Sequence, residues 1–257
     1  SFDYNFLTGI VVAGTFSSKV IVWDLISGKE RVQLKEHKES VLSVAISPDG
    51  NRIITGSLDK FVCLWSKEGK LLIKKQIHND NIMSLAFHPS GRYFLSASLD
   101  KTIRICNVDS LKIVKTILGE GECISKAIFS SDGNHIFGAL ANGDICLWHG
   151  FSGSLLYVFS GLKGVVNDLS LNKDNSLLAA VSNDGYMAIW EISKINYVIN
   201  IFKEEINKEF NTISVTLNAK NREEKIKETP EYNDIVDKYY KKYQDTLTKY
   251  KILYLSE

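Results

Sequence analysis

The strongest constraint in this chain is a regular step. Four short apolar runs end in tryptophan: Val20-Ile21-Val22-Trp23, Val62-Cys63-Leu64-Trp65, Ile145-Cys146-Leu147-Trp148 and Met187-Ala188-Ile189-Trp190. A fifth run, Ile103-Arg104-Ile105-Cys106, has the same form with Cys in the last place. Positions 23, 65, 106, 148 and 190 are separated by 42, 41, 42 and 42 residues. A fixed step of this size marks a repeat architecture, in which one supersecondary unit is copied and stacked.

Within each step the same parts return in order. An alternating run such as Val41-Leu42-Ser43-Val44-Ala45-Ile46 leads into a turn, Ser47-Pro48-Asp49-Gly50. A second run, Arg52-Ile53-Ile54-Thr55-Gly56-Ser57, meets the tight turn Leu58-Asp59-Lys60, and the Trp run follows. A further Gly-bearing turn leads to a fourth run, such as Leu155-Leu156-Tyr157-Val158-Phe159. Period-2 runs broken by Gly, Asn, Asp and Ser predict four-stranded antiparallel meanders. One such sheet cannot bury both of its faces, so the units must stack.

Four strands in a step of about 40–45 residues, with a Trp-Asp mark at Trp23-Asp24, resemble the WD40 β-propeller family. The resemblance covers residues 1–203 and implies an all-β propeller of about five recognisable blades, set within a family whose usual number is seven. It also implies a structural hydrogen-bond set of loop His, strand hydroxyl, turn Asp and Trp. Carried over, the set falls on His37, Ser57 or Thr55, Asp59 and Trp65 in the second unit. In the third unit it falls on His78, Ser98 and Asp100, with Cys106 in place of the Trp. Trp23, Trp148 and Trp190 take the Trp place in the other units. The last two units lack the loop His, with Leu162 in one such position, and are expected to be less regular. Ser1-Phe2-Asp3-Tyr4 aligns with Ser47-Pro48-Asp49-Gly50, so the first unit is expected to lack its innermost strand.

After Ile192 the pattern changes. Residues 196–202 can supply the fourth strand of the last blade. Residues 203–257 hold 11 Lys+Arg and 11 Asp+Glu, too many for another regular blade, so 204–257 reads as a charged tail. Within it, 211–217 is a short strand-like run able to cover an open sheet edge. Thr229-Pro230-Glu231 is a helix start. Tyr232, Val236, Tyr239, Tyr240, Tyr243, Leu247 and Tyr250 then form one stripe, predicting an amphipathic helix over 229–254. Such a helix either packs back on the propeller or docks on another subunit, and the size of the stripe favours another subunit.

Catalysis finds no foothold. The five His are spread over different units, and Cys63, Cys106, Cys123 and Cys146 sit in apolar runs at spacings that match no zinc site. These cysteines read as reduced core residues of an intracellular protein. No phosphate loop, nucleophile elbow or metalloprotease helix occurs, so the chain reads as non-catalytic, with no cofactor or metal. A charge of +1, from 31 basic against 30 acidic residues, argues against nucleic-acid binding by bulk charge. No apolar run reaches the ~20 residues of a membrane span.

The top turns are more informative. Leu58 and Leu99 sit just before the turn Asp in adjacent units, where a polar residue is the norm. In WD40 proteins that position faces the narrow top surface around the central channel. The two leucines are therefore expected to form a partner contact, rimmed by Lys38, Glu39, Asn79 and Asp80. The reading is a protein-interaction scaffold, working through its top face and its tail. Further features are the opening unit without a Gly-His, the Ser-Leu-Asp turn before Val62-Cys63-Leu64-Trp65, and Phe94-Leu95-Ser96 through Ile103-Arg104-Ile105. With Ser152-Gly153-Ser154-Leu155 leading to Gly161-Leu162-Lys163-Gly164, they are similar to the retinoblastoma-binding-protein-five subunits of COMPASS-type histone methyltransferases. That resemblance implies a nuclear multiprotein complex. Scaffolds of ribosome-assembly or RNA-processing particles, and cytoskeletal or ciliary WD40 proteins, are the alternatives.

Overall fold

The computed structural model describes residues 1–192, and every element among them is a β-strand. The first sheet comprises β1 (Phe2–Asn5), β2 (Ile10–Gly14), β3 (Val20–Asp24) and β4 (Glu30–Leu34). The second comprises β5 (Val41–Ile46), β6 (Arg52–Ser57), β7 (Phe61–Ser66) and β8 (Leu71–Gln76). The third has β9 (Ile82–Phe87), β10 (Tyr93–Ser98), β11 (Thr102–Asn107) and β12 (Ile113–Leu118), and the fourth β13 (Ile124–Phe129), β14 (His135–Leu140), β15 (Ile145–His149) and β16 (Leu155–Phe159). The fifth shows β17 (Val166–Leu171), β18 (Leu177–Ser182) and β19 (Met187–Glu191). Each sheet is an antiparallel meander in sequence order, four of four strands and one of three among the described residues. This is the WD40 propeller arrangement. The innermost strands β1, β5, β9, β13 and β17 pack in that order around a common centre.

The first unit departs from the sequence alignment. Phe2–Asn5 pairs with β2 from Phe2 opposite Ala13 to Asn5 opposite Ile10 and forms the innermost strand of a complete sheet. Ser1 therefore corresponds to Ser43, not Ser47. The alignment slipped by four residues because Asn5-Phe6-Leu7-Thr8-Gly9 lacks the Ser-x-Asp-Gly chemistry of the other turns. The expected fourth strand at 196–202 and the 204–257 tail, with its 229–254 helix, lie outside the described residues.

Stacking follows from the two-residue period. Along β7, Cys63 and Trp65 point to the first sheet and pack with Ile10, Val12, Val20 and Val22. Val62 and Leu64 point to the third sheet and pack with Ile82, Leu85, Phe94 and Cys106. Trp148 likewise packs on Leu95, Ala97 and Ile103 of the sheet before it. Trp65 and Trp148 thus belong to the interface with the preceding sheet. Trp65 and Trp148 are buried. Trp190 is half-buried, its ring 5.8 Å from that of Phe159. Trp23 is also half-buried, because Val20 and Val22 of the same strand face the second sheet and turn it the other way.

Candidate protein-interaction face

The turn between the second and third strands of each sheet is built on one backbone requirement. Ser18, Lys60, Lys101, Gly143 and Gly185 fall at the same place in the five sheets, and all have left-handed φ, from 63° to 91°. The residue two places earlier stands at the head of the turn: Phe16, Leu58, Leu99, Ala141 and Asn183. Phe16 is exposed, whereas Leu58 and Leu99 are half-buried. Leu58 and Leu99 are fixed by main-chain bonds, Leu58 N–H to Ser40 O at 3.0 Å and Leu99 N–H to Asn81 O at 3.1 Å.

The hydrogen-bond set anchors these turns. In the second sheet Trp65 Nε1–H donates to Thr55 Oγ1 at 3.0 Å, and Thr55 Oγ1 lies 2.8 Å from His37 Nε2. His37 Nδ1 lies 2.9 Å from Asp59, whose carboxylate also accepts from the N–H groups of Lys38 and Phe61, each at 3.0 Å. A neutral ring protonated on Nδ1 lets every donor and acceptor pair. Thr55, not Ser57, is the strand hydroxyl of the set. Ser57 Oγ instead donates to Glu39 O at 3.0 Å and holds the loop ahead of the strand. The third sheet repeats this with Ser98 Oγ donating to Asp80 O at 3.2 Å. There His78 Nδ1 meets Asp100 at 2.9 Å, but its Nε2 meets the backbone oxygen of Ser96 at 3.2 Å. With Cys106 replacing the indole, Ser96 Oγ is buried without a hydrogen-bond partner.

The electrostatics follow the same pattern. Burial works to raise the Asp59 carboxyl, but the bonds from His37, Lys38 and Phe61 outweigh it and hold the group at about 2. Burial likewise opposes ionisation of Asp100, and its bonds from Thr102 and Asn79 bring it below the usual range. Burial lowers His78, against the opposing pull of Asp100. Both kinds of shift act in one direction. Protons bind the unfolded chain more readily, so stability is present at neutral pH and lost on acidification. The melting temperature is expected to fall first below about pH 6.5, as His78 must charge, and again from about pH 4 toward 2, as Asp59 protonates. His78→Gln should remove the first step, and Asp59→Asn should shrink the second, part of which remains because Asp100 is also held below the usual range. A melting temperature flat from pH 7 to 5 would contradict this assignment.

A second feature lies on the channel side. Every innermost strand from the second sheet on begins with a bulge, so one residue has no partner opposite it: Leu42, Met83, Ser125 and Asn167. A bulge re-aims a side chain, and all four line a central cavity of about 600 Å³, which Phe16 and the ion-paired Lys126 and Asp168 also line. Leu58 and Leu99 lie outside that lining. Both series run from large apolar to small or polar: Phe16, Leu58 and Leu99 give way to Ala141 and Asn183, and Leu42 and Met83 to Ser125 and Asn167. The top face thus carries large apolar side chains over the first three sheets and small or polar ones over the last two. Lys38, Glu39 and Asn79 project exposed side chains at its rim, and Asp80 is half-buried.

Phe16, Leu42 and Met83 were not singled out from the sequence, although the signal was present. Gly14-Thr15-Phe16 sits 42 residues before Gly56-Ser57-Leu58, and Leu42 sits 41 before Met83. The tail residues Tyr232, Val236, Tyr239, Tyr243, Leu247 and Tyr250 lie outside the described residues. Among the described residues no three His, Cys, Asp or Glu side chains gather to hold a metal. Burial pushes the thiols of Cys63 and Cys106 up to about 12, so neither is a thiolate at neutral pH.

Comparison with known proteins places this geometry in a family. Residues 2–223 match the family described as the IFT122 first β-propeller. The chain is 25% identical over 203 residues to autophagy-related protein 16 of Arabidopsis thaliana, covering 76% of this chain and 39% of that protein. It is 41% identical over 177 residues to periodic tryptophan protein 2 of Saccharomyces cerevisiae, covering 68% of this chain and 19% of that protein. It is 38% identical over 65 residues to the intraflagellar transport protein 122 homolog of Xenopus tropicalis, covering 25% of this chain and 5% of that protein. The chain thus spans well under half the length of these relatives. It belongs to the IFT122 first β-propeller family.

Proposed function

We propose that this propeller is a non-catalytic scaffold of an assembly of the intraflagellar-transport kind, and that it grips a protein partner with the apolar half of its top face. The observation that carries the reading is the asymmetry of two structurally equivalent series, Phe16, Leu58, Leu99 against Ala141, Asn183, and Leu42, Met83 against Ser125, Asn167. A face that only covered its own channel would have no reason to differ between blades. Exposed apolar groups beside a polar rim suit a partner surface. Family membership and the name of the Xenopus relative support the ciliary choice among the scaffolds considered. The comparisons give no support to the histone methyltransferase reading.

The test uses the tagged chain in ciliated cells. The triple variant Phe16→Ser, Leu58→Ser, Leu99→Ser should keep its melting temperature within about 4 °C, since these side chains stand at turn heads. It should recover intraflagellar transport subunits at least about tenfold less well, the loss of a small apolar hot spot. Recovery of chromatin methyltransferase or ribosome-assembly subunits in their place would overturn the ciliary reading. Unchanged capture by the variant would remove the top face from it.

A further inference from the structure

The outer rim of the third sheet is an edge without the usual guards. Among the described residues β12 pairs only with β11, so one side of its backbone faces outward. Native sheets blunt such edges with charge, Lys above all. The outermost strand β4 carries Glu30 and Arg31, β8 carries Lys74 and Lys75, and β16 buries Leu156, Tyr157 and Phe159. β12 holds one charged residue, Lys115, whose Cε stands against Gly153 of the fourth sheet. Ile117 faces that sheet too. The other face of the strand turns Val114, Thr116 and Leu118 to solvent, Val114 and Leu118 being 49% and 69% exposed. Exposed Lys112 and Glu120 flank the strand at its two ends.

We propose that β12 pairs antiparallel with β12 of a second copy of this chain, across a two-fold axis at Thr116. Backbone direction limits the registers. Gly119 N–H donates inward to Lys101 O at 2.8 Å, and Leu118 and Thr116 stand opposite Thr102 and Arg104. Alternation along the strand then turns the N–H and C=O groups of Thr116 and Leu118 outward. Centring on Thr116 brings two outward-facing residues together as a hydrogen-bonded pair and sets Val114 opposite Leu118 of the second copy. Each end of the ladder then carries Lys112 of one copy and Glu120 of the other, so unlike charges meet. Moving the centre by one residue sets Thr116 opposite Val114 or Leu118 and loses the apolar pair. The bulge at Val114 confines the ladder to Val114–Leu118 without touching its centre. β12 ends beside the top loops, where Cys123 Sγ–H donates to Leu99 O at 3.3 Å. The two propellers therefore lie rim to rim with their top faces pointing opposite ways, and the pairing uses none of Phe16, Leu58 and Leu99.

Analytical ultracentrifugation of the full chain tests this. The wild-type chain should sediment as a dimer at about 100 µM and dissociate on dilution, as a small interface does. Thr116→Lys sets two like charges opposite each other at the axis and should weaken the dimer at least about tenfold, and Thr116→Glu should do the same. Mixed in equal amounts, the two variants should recover a dimer, since Lys then faces Glu. A wild-type chain that stays monomeric overturns the proposal, as does a dimer that survives either substitution. Failure of the mixture to dimerise overturns it as well, because the single losses would then reflect damage to the fold. Cross-linking gives an independent reading. Thr116→Cys should form an interchain disulfide under mild oxidation, since opposed Cα atoms of such a pair lie about 5.5 Å apart. Leu72→Cys, on the charged edge of β8, should not. Equal cross-linking of the two variants, or none at Thr116→Cys, overturns the pairing.

Discussion

Replacing Trp65 by Ala should lower stability by ~3–5 kcal/mol, the range for deleting a buried aromatic side chain. For a chain of this size that is a fall of roughly 8–15 °C in melting temperature. Two losses combine. The indole packs between the first and second sheets against Ile10, Val12 and Val22, and its deletion opens a cavity in that interface. It also donates to Thr55 Oγ1, the hydroxyl that links it to His37 and so to the turn aspartate. The third sheet supplies a matched control, because Cys106 stands where the Trp would be and is fully buried. Cys106→Ala removes one sulfur atom and should cost about 1 kcal/mol. The hydroxyls should differ in the same sense. Thr55→Ala strands Trp65 Nε1 and His37 Nε2 and should cost about 2–3 kcal/mol. Ser96→Ala removes an oxygen with no bond to lose and should stay within about 0.5 kcal/mol. Thermal or denaturant melts of the four variants measure this, and equal losses at Trp65 and Cys106 would refute the blade alignment.

Replacing Gly143 by Ala should cost about as much as losing the indole, for a different reason. Gly143 holds φ at +91°, and an added Cβ would lie 2.3 Å from Leu162 O and 3.1 Å from Gly164 O. Those are main-chain atoms of the next connecting loop and cannot swing aside. The left-handed backbone alone is tolerable, since Ser18, Lys60 and Lys101 adopt it at the equivalent positions. Its cost is about 1–2 kcal/mol. The collision adds about 1–3 kcal/mol more. Gly185 separates the two terms: its φ is +86°, and nothing lies within 4 Å of its added Cβ. Gly185→Ala should therefore cost about 1–2 kcal/mol and Gly143→Ala about 2–5 kcal/mol. Equal costs would mean that the loop bearing Leu162 yields, and that the contact between the fourth and fifth sheets is soft at its top.

The sequence by itself determined the blade. The step of 41–42 residues, the two-residue period of each run and the Gly, Asn and Asp turns fixed strand order, antiparallel pairing and the two faces of every sheet. These are local properties: successive residues of a strand point to opposite faces, so residue order alone assigns each side chain to one of the two neighbouring sheets. Even the structural aspartates were legible, because a tight turn leaves few residue types able to sit there. Tertiary structure decided what depends on neighbours. Thr55 and Ser57 are two residues apart on one face of a strand, and only the stacked Trp65 and His37 select Thr55. The first unit was misaligned because its turn, Phe6-Leu7-Thr8, has lost the polar marks by which alignment proceeds, while pairing of Phe2–Asn5 with β2 needs only backbone. The apolar half of the top face stayed hidden for a related reason. Leu42 and Met83 read as strand residues, and a bulge, set by the pairing of two strands, turns them into the channel. The exposure of Met187 and Ile189 is likewise invisible to a period that predicts them buried. Burial of a blade face is a property of the sheet stacked upon it, and the repeat specifies each sheet without specifying its neighbour.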